Sequence, residues 1–308
     1  MRCPITYESC VGRYSKQGIK LLSPNLKELR DFPFTPKEQI QMASQFAAKL
    51  SIQGIQPKLS LKLNTKKQVF EIVAKGGKFI LKPPHQIYEE VPENEDVTMR
   101  LASRVGIEVP FHGMIYNVDG SLSYFIQRFD RLPKGKKLGV EDFSQLLGFS
   151  RETKYEASME KIIPVIEKHC TFPRLEKIKL FKRVIFNFLV GNEDMHLKNY
   201  TLIRRDDKVE LSPAYDLLNT TILLKATEEI ALSIRGKKSR LTKEDLIDYF
   251  GCERLQISEI ILQKELESFK RVSIYWKELL DQSFLSVKMR QSYKELVQER
   301  FDRLFGIK

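Results

Sequence analysis

What this chain is short of narrows it first. It carries only 4 cysteines and 4 histidines among 308 residues. None of Cys3, Cys10, Cys170 and Cys252 belongs to a Cys-x-x-Cys pair, so neither a zinc-ligand spacing nor a disulfide framework emerges. Cys3 and Cys10, in "CPITYESCVG", read as reduced thiols of a cytosolic protein. The longest apolar run, "VIFNFLV" at 184–190, falls far below the roughly 20 residues that a membrane span needs. The N-terminus has no continuous apolar core of a signal peptide. Repeats, low-complexity tracts, an arginine-rich tail and basic heptads are all missing. The expectation is a cytoplasmic protein with no membrane association and no direct sequence-specific DNA binding.

What is present is an ordinary globular composition, 42% hydrophobic and 30% charged. The length allows one large domain or two modest lobes. The net charge of +12 suits polyanionic partners such as nucleotides, nucleic acid or an acidic protein. Yet the basic residues are dispersed, with only short clusters such as "KGKK" (134–137) and "RGKKSR" (235–240), and a solvated surface accounts for most of them.

Along the chain, "FTPKEQIQMASQFAAKL" opens a helix, with Thr35 as N-cap, Pro36 in the first position and Glu38 closing a capping box. The loop "SIQGIQPK" follows. Three strand-like stretches come next, "LSLKL" (59–63), "QVFEIV" (68–73) and "KFILK" (78–82), with Pro83 and Pro84 ending the third. Val97, Leu101 and Val105 mark a helix over about 93–105, ended by Gly106. A hairpin then turns at Asp119-Gly120. After "RFDRLPKGKK" the pattern becomes mainly helical. Residues 1–128 thus read as an N-lobe on an antiparallel sheet and 129–308 as a helical C-lobe. In the latter, "RLEKIKLFKRVIFNFLV" makes a buried helix with Ile178, Phe181, Ile185 and Phe188 on one stripe. "YTLIR" and "KVELS" make a short hairpin, "LTKEDLIDYFG" is helical, and a long amphipathic run spans about Trp276 to Phe305.

The chemistry concentrates in "GNEDMHLKNY", directly after the buried helix. Asp194 and Asn199 lie five residues apart, and Asp216 lies beyond the short hairpin. Phosphoryl transfer asks for this order: one carboxylate to deprotonate the attacking hydroxyl, then an amide oxygen and a second carboxylate to hold Mg2+ against the phosphates of ATP. Lys82 closes the third strand as a phosphate-binding lysine would, and Glu95 on the next helix is its natural ion-pair partner. The loop bearing Ile52, Gln53, Gly54 and Lys58 sits where a phosphate-covering loop belongs. "FIQRFDR", with Gln127 and Phe129, lies at the lobe junction, where its backbone would bond adenine. Taken singly, each residue has an ordinary reading: Asp194 a cap, Gly54 a turn, Lys82 a strand end, Glu95 a residue favoured by the helix dipole, His196 a bonding partner within its loop. Their order on these elements favours a kinase-like site.

These residues also carry a resemblance. "GNEDMHLKN" with "SPAYDLLNT", "QRFDR" with "EDFSQLLG", and "SIQGIQPKLSL" with "FILKPP" resemble the HipA family of serine/threonine kinase toxins from bacterial toxin–antitoxin systems. The likeness runs from about Ser51 to Thr220 and continues loosely beyond. HipA proteins proper carry a further N-terminal subdomain, and in having only "CPITYESCVGRYSKQGIKLLSPNLKEL" and a helix ahead of the loop the chain looks like the short HipT-type kinases, whose missing subdomain is a separate small protein. The resemblance implies an α+β, two-lobed protein-kinase-like fold. It implies Asp194 as catalytic base, Asn199 and Asp216 as magnesium ligands, Lys82 on phosphate and Gln127 and Phe129 near adenine. It also implies Ser51 as an autophosphorylation site, where added negative charge beside ATP would lower activity. Some short relatives carry a second serine two residues on, where this chain has Gln53. The implied target is an aminoacyl-tRNA synthetase, free or tRNA-bound, and the implied partners are the small subdomain-like protein and a DNA-binding antitoxin. Two other readings stay open: a catalytically silent basic module that binds nucleic acid or a regulatory complex, and a kinase fold acting on a small molecule.

Overall fold

The computed structural model describes residues 1–50 (without the side chains of 46–50), 57–132, 136–225 and 227–306. Its contacts divide them into two compact units. The first comprises Met1–Asp96, Pro110–Arg131 and Gln282–Leu285; the second comprises Val97–Val109, Leu132–Asp281 and Ser286–Lys308. Among the described residues no helix is long and apolar enough to cross a membrane.

The first unit is built on strands. Helices α1 (Lys16–Leu22) and α2 (Pro36–Leu50) precede β1 (Leu59–Asn64), β2 (Val69–Ile72) and β3 (Phe79–Lys82). Helix α3 (Val91–Arg104), whose residues from Val97 onward belong to the second unit, β4 (His112–Tyr116) and β5 (Leu122–Gln127) follow. The five strands pair in the order β2-β1-β3-β5-β4, every ladder antiparallel. The capping box of α2 is present: Thr35 N donates to Glu38 Oε2 at 2.7 Å and Glu38 N to Thr35 Oγ1 at 3.4 Å. Gly120 turns the β4–β5 hairpin at φ +84°. Helix α3 starts two residues earlier than its apolar spacing suggests, because Val91 and Pro92 are themselves buried and Pro suits a first turn. The core gathers Leu59, Leu61, Phe70, Phe79, Leu81 and Phe125 beneath the sheet, with Leu26, Leu29 and Phe32 against them.

In the second unit β6 (Val140–Asp142) leads into α4 (Phe143–Leu147), α5 (Met159–His169) and α6 (Pro173–Val190). The hairpin β7 (Thr201–Arg205) and β8 (Lys208–Leu211) is followed by α7 (Thr220–Leu224), α8 (Glu259–Gln282) and α9 (Val287–Phe305). Three differences from the sequence reading have physical causes. The short hairpin gains a third strand, β6, which pairs with β7 through Val140–Ile203, Glu141–Leu202 and Asp142–Thr201; three residues are too few to show alternation. The segment Glu244–Arg254 winds as a π-helix, with Leu255 N bonded to Phe250 O five residues back. The C-terminal run is two helices, α8 and α9, because the chain breaks after Gln282 and Ser286 caps α9 by accepting from Met289 N at 3.2 Å. Helix α6 is buried at every position from Arg183 to Val190, Arg183 and Asn187 included, well beyond the single stripe in the pattern.

Candidate active site

In the first unit, Lys82 ends β3 and Glu95 lies in the second turn of α3. Lys82 Nζ donates to Glu95 Oε1 in an ion pair whose side chains are 2% and 0% exposed. The lysine ammonium also sits 5.6 Å from the ring centre of Tyr124. Nearby, His112 Nδ1 and Asp96 Oδ1 are 3.0 Å apart. Burial lifts the carboxyl of Glu93 to about 7, and the charges of Glu90 and Asp96 add to the effect. Gln127 is exposed at the end of β5 and Phe129 is half-buried two residues on. Arg128 forks onto Asp130 along one guanidinium edge, Nε donating to Oδ1 at 3.0 Å and Nη2 to Oδ2 at 2.8 Å. Lys58 is half-buried just ahead of β1. Ser51, Ile52, Gln53 and Gly54 lie outside the described residues.

The second unit holds the loop after α6. Gly191 ends that helix at φ +70°, and a Cβ there would stand 2.5 to 2.9 Å from Leu296, Thr221 and Asn219; only glycine fits. Its carbonyl accepts from Thr221 N at 3.0 Å and from the hydroxyls of Thr220 and Thr221, so the loop's first residue is pinned to α7. The loop then folds on itself. Asn192 Oδ1 accepts from Asp194 N at 3.2 Å, His196 N donates to Asp194 O at 2.8 Å, and Asn199 Nδ2 donates to the same carbonyl at 2.8 Å. A 3-10 turn over Leu197–Asn199 brings Asn199 back toward Asp194. The Asp194 side chain remains 48% exposed, accessible to a hydroxyl from outside.

Asp216 is placed by its neighbour. Tyr215 Oη bonds Thr201 Oγ1 at 2.5 Å and donates to Lys198 O at 3.0 Å, which ties the segment after β8 to the loop. Asp216 itself takes a left-handed φ of +54°, a conformation that Asp tolerates better than most residues. The second unit therefore assembles Asp194, His196, Asn199 and Asp216 in one region, and the first unit assembles Lys82 with Glu95.

Three features have no counterpart in the sequence reading. Tyr155 Oη donates to Asp194 Oδ1; burial, that hydrogen bond and the Asp194 charge all push its phenol upward. Lys154 Nζ lies 2.7 Å from His196 Nε2. Burial holds the imidazole below its usual value, the Asp194 charge opposing and the Lys154 charge assisting. An open cavity of about 570 Å³ lies beside Asp194, lined by Tyr155, Glu193, Thr220, Leu224, Lys225 and others. "KYE" sits in a turn between α4 and α5 and has no periodicity to mark it.

This fold, an α+β kinase-like architecture with an antiparallel sheet and a helical C-terminal part, aligns with solved structures. The HipA chain of a Shewanella oneidensis HipA–HipB–operator DNA complex matches at TM-score 0.70 and 23% identity, over 91% of this chain and 73% of that one. A Helicobacter pylori proinflammatory kinase, CtkA, matches at TM-score 0.60 and 15% identity, over 83% and 90%. The model of the HipA-like C-terminal domain matches residues 50–274, more than half of the chain, and the chain belongs to that family. Among curated relatives, "Putative kinase Y4dM" of Sinorhizobium fredii is 31% identical over 80% of this chain and 64% of its own length. A Haemophilus influenzae protein of the same description is 27% identical over 92% and 90%. The serine/threonine-protein kinase toxin HipA of Shewanella oneidensis is 29% identical over 60% of this chain, which spans 47% of that toxin.

Proposed function

We propose that this chain is an ATP- and magnesium-dependent serine/threonine-protein kinase, the cytoplasmic toxin of a bacterial toxin–antitoxin system. One observation carries the reading: a half-exposed Asp194 carboxylate beside a cavity, with Asn199 folded back onto its carbonyl five residues later. In this reading Asp194 takes the proton of the acceptor hydroxyl. Asn199 has committed its amide nitrogen to Asp194 O, which leaves Oδ1 for a hard cation. With the Asp216 carboxylate this is an oxygen donor set that suits magnesium. Magnesium, when bound, neutralises charge on the phosphate oxygens and orients them. Lys82, aimed by Glu95, would hold the α- and β-phosphates of ATP; Gln127 and Phe129 would border the adenine, and His196 would stand on the phosphate side of the base.

Family membership supports kinase activity, and the HipA of the aligned complex is bound to HipB and operator DNA, which supports a DNA-binding antitoxin as partner. Motif resemblance alone supports the finer assignments. These are kinship with HipT, a small subdomain-like partner, an aminoacyl-tRNA synthetase as target, and autophosphorylation at Ser51, with Ile52, Gln53, Gly54 and Lys58 covering the phosphates.

The test is phosphate transfer from γ-labelled ATP to proteins of a bacterial lysate. Labelled protein bands that vanish with Asp194→Asn are expected. Label confined to small products would mean a small-molecule kinase, and an Asp194→Asn protein as active as wild type would mean a silent binding module. Mass spectrometry of active wild type should find phosphate on Ser51 that Asp216→Gln preparations lack; phosphate solely at other positions would remove Ser51 from the scheme.

A further inference from the structure

Two adjacent residues outside the catalytic loop close on it from one side. The turn that bears Lys154 and Tyr155 is tied to the loop by Leu197 N donating to Lys154 O at 3.3 Å. Tyr155 Oη donates to Asp194 Oδ1. The Tyr155 ring meets the His196 ring edge-on, centroids 5.0 Å apart and planes at 85°. Lys154 Nζ lies 2.7 Å from His196 Nε2 and 4.8 Å from the centre of the Tyr155 ring. His196 Nε2 is in turn 4.0 Å from Asp194 Oδ1. The ammonium is therefore held beside the base by an imidazole nitrogen and a ring face, the imidazole standing between it and the carboxylate.

We infer that Lys154 is a catalytic residue that contacts the transferred phosphoryl group, and that Tyr155 is the positioning residue of the base. The inference rests on the kinase reading and deepens it. An ammonium has no lone pair, so its bond to His196 requires Nε2 to accept, and the ring is then a neutral relay that aims the lysine. His196 stands two positions after the base and brings no charge of its own, while Lys198 of the same loop is exposed. The cation beside the base is thus delivered from a different segment of the chain. With Oδ1 occupied by Tyr155, Oδ2 is the oxygen left to the acceptor. In the transfer step the acceptor oxygen bonds the γ-phosphorus as the bond to the β–γ bridging oxygen breaks. The acceptor proton goes to Asp194 Oδ2, and ADP leaves with the electron pair. Charge on the equatorial oxygens of that group is what a fixed ammonium stabilises.

The experiment measures initial rates of phosphate transfer from γ-labelled ATP to lysate protein, with ATP varied, using the full chain. Lys154→Gln keeps an N–H donor for His196 and removes the charge, and Lys154→Arg keeps the charge. Lys154→Gln is expected to lower kcat by ~100-fold, the scale for losing one stabilising group in a preorganised site, with KM for ATP within ~3-fold and an unchanged melting temperature. Lys154→Arg should recover at least a tenth of the wild-type kcat, and Tyr155→Phe should lower kcat by ~10-fold at constant KM, a fraction of what a general base contributes. A Lys154→Gln kcat within ~3-fold of wild type, or an Arg variant as slow as the Gln variant while both melt normally, overturns the inference and leaves the kinase reading standing. Asp194→Asn runs beside them: full activity there defeats the kinase reading itself.

Discussion

Lys82 and Glu95 form a fully buried ion pair, the ammonium of β3 against the carboxylate of α3. Such a pair adds little to stability against well-packed apolar residues, but breaking it from one side strands a charge. Lys82→Met should therefore cost about 3–5 kcal/mol of unfolding free energy, read by urea denaturation. Adding Glu95→Leu should restore most of that loss while phosphate transfer stays absent. A double variant that is stable and active would remove Lys82 from the phosphate site.

Gly191 begins the proposed catalytic loop where a side chain has no room. Gly191→Ala should lose about 1–2 kcal/mol from the left-handed backbone alone, and more from contacts that start at 2.5 Å from Leu296. Since the same residue anchors the loop to α7, kcat should fall along with the melting temperature. A variant that matches wild type in both would show that the loop's entry tolerates rearrangement.

Asn199 and Asp216 are the proposed ligands of the cation. Asn199→Ala and Asp216→Asn should each raise the magnesium concentration for half-maximal rate by at least ~10-fold, the scale of losing a ligand or its support. Isothermal titration with magnesium and a non-hydrolysable ATP analogue should show the same weakening. An unchanged magnesium dependence in both variants would assign the metal to other residues.

Glu93 gives a pH dependence of stability. Its carboxyl is raised from 4.5 to about 7 by burial first and by Glu90 and Asp96 second. The protonated form is the one the fold favours, so its contribution is complete below pH 4.5 and is lost as pH rises through about 7. Glu93→Gln, neutral at every pH, should equal wild type near pH 4 and exceed it in melting temperature at pH 8. Parallel melting curves for the two proteins across that range would contradict the shift.

How much of this was legible in the residues follows from the range of the forces involved. Thr35 and Glu38, Gly106, Asp119-Gly120 and Gly191 mark boundaries through contacts within a few residues, and periodicity located the buried helix α6 and the strands β1 to β3. The resemblance in "GNEDMHLKN" and "SPAYDLLNT" pointed to the family. The brief strand β6, the π-helical winding of Glu244–Arg254 and the break between α8 and α9 were not legible. Each is decided by what packs against it, not by its own pattern.

By itself, then, the sequence determined several element boundaries, the family and a shortlist of ionisable side chains, because propensity, capping and apolar spacing act along the chain. Only the tertiary structure decided which of those side chains keep company. Tyr155 reaches Asp194 across 39 positions and Lys154 reaches His196 across 42. A hydrogen bond between groups so distant in sequence exists only after burial of the surrounding core has fixed both ends, and no local pattern encodes it.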